Sequence, residues 1–174
     1  MSEKNKKIQN LRGQLTSADT KMVLQGLDQI KEHGEAELIP DMLQVMESTE
    51  VREIQVKVLE ILNNLNSQTA ASEVIRQLEH VEDQENKAQI LASCWKNGLD
   101  YSLHFHSLVD IFIHSNFMNA IEAFTIIENS TQYLSNDNID QARDKIKDNL
   151  SQIQEEKKPL MMELIHLLDS KKTD

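Results

Sequence analysis

The chain has little with which to turn corners. Four glycines and two prolines in 174 residues are too few for a β-sandwich of this length, which needs turn residues at short, regular intervals. Long helices can run uninterrupted instead. Aromatic residues make up only 4%, so any helix packing must rest on Leu, Ile, Val and Met. Cys94 is the only cysteine; no internal disulfide can form, and nothing points to an oxidising compartment. Its neighbours Ala92 and Trp95 mark a packed thiol rather than a nucleophile. No run nears the roughly 18 apolar residues of a membrane span, and the longest, Leu108 to Ile113, is broken by Asp110. The basic start Met1-Ser2-Glu3-Lys4-Asn5-Lys6-Lys7 leads into no apolar signal region. A cytoplasmic protein without membrane contact is expected.

Chemistry is missing too. No Gly-rich phosphate loop, no His-Glu-x-x-His and no Gly-x-Ser-x-Gly occurs. Carboxylate pairs such as Glu37 and Asp41 are i, i+4 neighbours on an expected solvent face, without the burial that a catalytic dyad needs. The expectation is therefore no enzyme, no catalytic residue and no cofactor. A formal net charge of −11 opposes phosphate-backbone binding, whose affinity comes from clustered Lys and Arg. Nucleic acid is not an expected partner. A protein with a basic surface would be favoured, although the same charge also serves solubility.

What is present is a run of helices in pairs. Residues 1–16 carry Ile8, Leu11 and Leu15 at helical spacing and predict a short N-terminal helix or cap, after which Thr16 and Asp19 are placed to cap the next helix. Helix pairs are expected over 18–33 with 36–48, 50–65 with 69–81, and 84–97 with 101–115. Gly34 suits a left-handed helix end and Pro40 a first turn. In the second helices, Ile39, Met42, Leu43 and Met46 form a stripe at i, i+3, i+4, i+7. A shift of 32 places Ala71, Val74, Ile75 and Leu78 on them. A further 34 places Phe105, Leu108, Val109 and Phe112 there. In the first helices, Leu27 and Ile30 align with Leu59 and Leu62, then with Ala92 and Trp95. A fourth, looser pair follows, with a helix over 117–131, a polar connector Gln132 to Asn138, and a helix carrying Ile139, Ala142, Ile146, Leu150 and Ile153. The repeats thus fill 17–154. Glu155-Glu156-Lys157-Lys158-Pro159 breaks the chain before a last helix within 159–171, apolar on more than one face, which suits either a cap or a dimer contact.

Two helices per 32 to 34 residues make an α-solenoid, in which stacked pairs bury what one pair cannot. The residues resemble HEAT repeats, in particular the phycobilisome-lyase type. The resemblance is carried by Glu50-Val51-Arg52 at a helix start and by Gly34-Glu35-Ala36-Glu37-Leu38-Ile39-Pro40-Asp41-Met42-Leu43 at the turn between helices. It holds over about residues 18–80 and degenerates beyond. Gln84-Glu85-Asn86-Lys87 replaces the valine–arginine start, and the proline does not recur. Armadillo-like or tetratricopeptide-like stacking fits the same period, although the Trp, Gly and Tyr pattern of the latter is absent. The fold class is therefore all-α, a HEAT-like α-α superhelix of about four antiparallel pairs plus a C-terminal capping helix, read as a single domain over 1–174.

The resemblance implies that second helices line a concave face where partners bind. In the register above, Gln44, Arg76 and Asp110 form one row of that face, and Ser48, His80 and His114 the next. His106 lies one turn before Asp110. These seven residues, all off the apolar stripe, are the partner-binding candidates of a non-catalytic scaffold. An Arg76–Asp110 ion pair between repeats is one bland account of them. A metal or ligand site at His80, His106, Asp110 and His114 is an alternative, since i, i+4 side chains share a face; no metal ligand is assigned. His104 and His106 cannot chelate together, being about 200° apart on a helix. His33 and His166, near helix ends, read as surface or dipole-compensating residues. A second alternative, taken from the lyase-type relatives, is an accessory for cofactor handling or attachment. The oligomeric expectation is a monomer, or a dimer through the C-terminal helix.

Overall fold

A computed structural model of the chain describes residues 3–33 and 36–172. Gly34, expected at a helix end, lies outside the described residues, as does the side chain of His33. The described residues are all helical or connecting, with no strand, and no helix among them is long and apolar enough to cross a membrane. The chain forms two compact units, Met1–Leu99 and Asp100–Asp174.

In the first unit, α1 (Glu3–Leu15) packs on α2 (Thr20–His33) and on α3 (Ile39–Ser48). It is a docked element, since Leu11 and Leu15 are fully buried and Ile8 nearly so. Thr16 belongs to the end of α1, where its hydroxyl donates to the Arg12 carbonyl, and Asp19 alone opens α2 by accepting from the Lys21 N–H at 2.9 Å. A 3-10 turn, Ala36–Leu38, leads into α3, and Pro40 stands in its first turn, where a missing N–H leaves nothing unpaired. The unit continues with α4 (Arg52–Asn63), α5 (Gln68–Gln77) and α6 (Gln84–Lys96). Ser67 caps α5, accepting from Ala70 N–H, and Asp83 caps α6, accepting from Asn86 N–H at 2.7 Å. After α5 the chain tightens into a 3-10 turn, Leu78–His80.

Two layers result. α2, α4 and α6 pack side by side in one, α3 and α5 in the other, and α3 also rests on α4. The second-layer stripe is as the spacing predicts: Ile39, Met42, Leu43, Met46, Ala71, Val74, Ile75 and Leu78 are all buried. The first-layer register differs. Val23, Leu27 and Ile30 of α2 are matched in burial by Ile54, Val58 and Ile61 of α4, while Leu59 is only half-buried. On α6 the buried run is Ile90 to Cys94, which includes Ala92 as expected, and Trp95, expected inside, is 37% exposed with the Lys96 ammonium over its ring. Burying one such aliphatic side chain contributes about 1.5–3 kcal/mol. An exposed pair such as Lys31–Glu60, at 3.4 Å, adds roughly 0–1 kcal/mol. The stripes hold the layers together.

The second unit opens with a 3-10 turn, Ser102–His104, and then has α7 (Phe105–His114), α8 (Phe117–Ser130), α9 (Asn136–Asn149) and α10 (Lys158–Ser170). α7 packs on α8 and α9, and α10 on α8 and α9. Phe105, Leu108, Val109 and Phe112 are buried as the stripe predicts. α9 continues the register at a shift of 34 with buried Ile139, Ala142 and Ile146, and Arg143 stands where α7 has Val109. Its guanidinium is tied to Asp140, Asp144 and Asp169. α9 begins three residues before Ile139 because Ser135 caps it, accepting from the Asn138 N–H. Leu150 falls just after α9, in a 3-10 turn.

Candidate functional site

The stripe turns Ile39, Met42, Leu43 and Met46 inward, which by helical geometry leaves Gln44 and Ser48 facing outward. Gln44, Ser48, Arg76, His80, His106 and His114 are exposed, and Asp110 is half-buried. Each therefore lies off the core. What they border differs.

In the first unit, Gln44 separates two clefts. One, about 330 Å³, runs along the α1 side of α3 past Thr16, Ser17, Asp41, Gln44 and Ser48. The other, about 270 Å³, lies between α3 and the end of α5, bordered by Pro40, Gln44, Gln77 and His80 over buried Leu43 and Val81. Arg76 lines neither. Its guanidinium is held by Glu73 of its own helix.

In the second unit, the Asp110 carboxylate lies 2.5 Å from Lys145 Nζ of α9 and 4.0 Å from His114 Nε2. Arg76 and Asp110, drawn together by the sequence, thus each have a partner within their own unit. His106 Nε2 is 3.1 Å from the Asn138 amide nitrogen. His114 borders a cleft of about 230 Å³ with Ser115, Asn149, Gln154 and Lys157. His104, in the 3-10 turn before α7, is half-buried, and that burial lowers its pKa. Among the described residues, no group of three or more His, Cys, Asp or Glu side chains is placed to hold a metal ion.

One row therefore has a common geometry. Ser48 and His114 are the last residues of α3 and α7, His80 is the last of the 3-10 turn that follows α5, and each borders one of the three clefts. The chain leaves each of these helix ends through an extended residue: Thr49 (ψ 140°), Val81 (ψ 114°) and Ser115 (ψ 174°).

Two further polar residues were not singled out from the sequence. Glu47 of α3 accepts from the backbone N–H groups of Glu82, at 2.9 Å, and Asp83, at 3.3 Å, so its carboxylate ties α3 to the turn before α6. Lys157 is buried, and its ammonium donates to the carbonyls of Ile113 and Ser115 at the end of α7. Burial lowers the pKa of that ammonium. In the sequence it sits among Glu155, Glu156 and Lys158, where it reads as one more surface charge. No protein-family model, no curated protein and no solved structure matches the chain.

Proposed function

We propose that the chain is a non-catalytic interaction scaffold of the HEAT-like α-solenoid kind. It binds a protein partner through the second-layer faces, α3 and α5 in the first unit and α7 in the second. The observation that carries the reading is the repeated placement of Ser48, His80 and His114, each exposed beside a cleft at the end of a second-layer helix. The layering within each unit supports it. First and second helices alternate between layers, as stacked helix pairs do. The partner is a protein rather than a nucleic acid, because the net charge of −11 repels phosphate. The C-terminal helix serves as a cover. It packs through Met161, Leu164, Ile165 and Leu168, while on its outward side the exposed Met162 stands among Glu163, His166 and Asp169, a poor apolar dimer seam.

The test substitutes Arg76, His80, Asp110 and His114 together by alanine in the full chain. Affinity purification from the native cell with mass spectrometry identifies the partner of the parent protein. The variant should lose that partner while its helical melt stays within a few degrees of the parent. Undiminished capture would sink the proposal.

A further inference from the structure

The cleft between α3 and α5 has an apolar floor, and the chain that follows its lining residues His80 and Val81 is acidic. Leu43 and Val81 are buried beneath it, and Pro40, Gln44, Gln77, His80 and Glu47, whose carboxylate is taken up by the Glu82 and Asp83 N–H groups, wall it. The chain leaving α5 reads Glu79-His80-Val81-Glu82-Asp83-Gln84-Glu85, with four carboxylates and no Lys or Arg. Glu79, Glu82, Asp83 and Glu85 are all exposed, and none of them has an ion-pair partner among the described residues. Asp83 is engaged in capping α6 and Glu85 accepts from the Gln89 side chain, which leaves Glu79 and Glu82 as the uncommitted charges. Arg76, the nearest cation on α5, is held by Glu73.

The first unit already holds one basic segment. α1 carries Lys4, Lys6, Lys7 and Arg12 against a single carboxylate, Glu3. It buries Ile8, Leu11 and Leu15, and pairs Lys4 with Glu37 at 2.6 Å and Arg12 with Asp41 at 3.0 Å, at the entrance and first turn of α3. Apolar side chains inward and cations onto the acidic edge of α3: that is how this chain accepts a basic helix from itself.

We infer that the α3–α5 cleft accepts the same chemistry from another protein, an apolar side chain over Leu43 and Val81 flanked by lysine or arginine facing Glu79 and Glu82. A volume of about 270 Å³ falls below the roughly 300–1,000 Å³ of small-molecule sites. It suits one anchoring side chain. Glu79 and Glu82, exposed chain neighbours of the lining residues His80 and Val81, steer and select the partner, and salt weakens them. This inference rests on the proposed role of the second-layer face in binding protein.

The experiment titrates the isotope-labelled full chain with the peptide acetyl-Lys-Leu-Lys-Lys-Leu-Lys-amide, followed by NMR. Amide shifts should saturate and centre on Leu43, Gln44, Gln77, His80 and Val81. Glu79→Lys with Glu82→Lys should weaken binding about tenfold, with the neutral Gln pair falling between. A peptide with Glu in place of Lys should leave the cleft unmoved. Shifts centred elsewhere, or equal affinity for the charge-reversed variant, overturn the inference. The Gln pair serves as the measure should charge reversal perturb folding. The two proposals fail separately. A partner lost with the four alanines but retained by Glu79→Lys, Glu82→Lys ends the basic-segment inference and leaves the scaffold standing. Retention by the four alanines ends the scaffold reading, whatever the peptide does.

Discussion

Lys157 reaches back 44 residues to the carbonyl of Ile113, with Nζ 2.8 Å from the oxygen, and its second bond is 2.7 Å from the carbonyl oxygen of Ser115. The last carbonyls of a helix have no partner within it, and a cation there also offsets the negative end of the helix dipole. A side chain from the segment before α10 thereby closes the end of α7. Glu47 makes the reciprocal tie in the first unit, with the helix supplying the carboxylate and the following turn the N–H groups of Glu82 and Asp83.

Lys157→Met keeps the aliphatic stem and removes both bonds. Hydrogen bonds to charged groups are worth about 1.5–3 kcal/mol, and two carbonyls are left unpaired, so a loss of about 2 kcal/mol is expected. Chemical denaturation measures it. Hydrogen exchange should show faster opening at 153–157 than in the first unit. A variant as stable as the parent would show that water replaces the ammonium.

Glu47→Ala should destabilise the first unit by about 1–2 kcal/mol, because two backbone N–H groups lose a charged acceptor. Glu47→Gln retains one acceptor oxygen and should recover about half. The amides of Glu82 and Asp83 should exchange faster in both variants, and faster in the alanine form.

The two described helical glycines should respond with opposite sign. Around Gly13 an added Cβ meets nothing within 4 Å, so Gly13→Ala should raise stability by about 0.5–1 kcal/mol through helix propensity. At Gly26 the Cβ would fall 3.0 Å from Gln14 Cβ and 3.1 Å from its Oε1. α1 and α2 approach closely there, and Gly26→Ala should lose more to the clash than it gains. Thermal melts of the two variants give the comparison directly.

The Lys4 ammonium bonded to Glu37 is the main reason that its carboxyl has a pKa below the ordinary 4.5. A depressed carboxylate stabilises the fold in full above about 4.5, and that contribution disappears as pH falls through its folded pKa. Glu37→Gln should therefore lower the melting temperature slightly at pH 7 and by less at pH 3. Both partners are half-exposed, so the effect stays within about 0.5 kcal/mol. Equal differences at the two pH values would rule out the pair as its source.

The second-layer helices were legible because their stripe is narrow. Twelve positions from Ile39 to Phe112 keep apolar character at one spacing, and all twelve are buried. The first layer was less so. α4 is flanked by α2 and α6 and backed by α3, so Ile54, Val58, Ile61 and Leu62 all bury. A buried arc that wide fits two registers one residue apart, and only packing chooses between them. Trp95 was misplaced for that reason, its size and hydrophobicity outweighing the backbone phase. Thr16 was misread because a hydroxyl bonds as readily to the end of one helix as to the start of the next. Among the candidate residues, exposure followed from the stripe. The partners of Asp110 and His106, Lys145 and Asn138, did not, since they come from a helix about 30 residues away (from Asn138 to His106 is a separation of 32). Glu47 and Lys157 were invisible for the same cause, as a charged side chain carries no mark of the backbone it will reach.

Cys94 and Trp95 are neighbours on α6, about 100° apart around its axis. The thiol is 1% exposed and lies 3.5 Å from the Ile90 carbonyl, while the indole already meets solvent. The single tryptophan, already 37% exposed, is a weaker optical reporter of denaturation than a fully buried indole would be. The single thiol is a good one. A sulfhydryl reagent can reach it only after the first unit opens, so the rate of its modification clocks that opening in the unaltered protein.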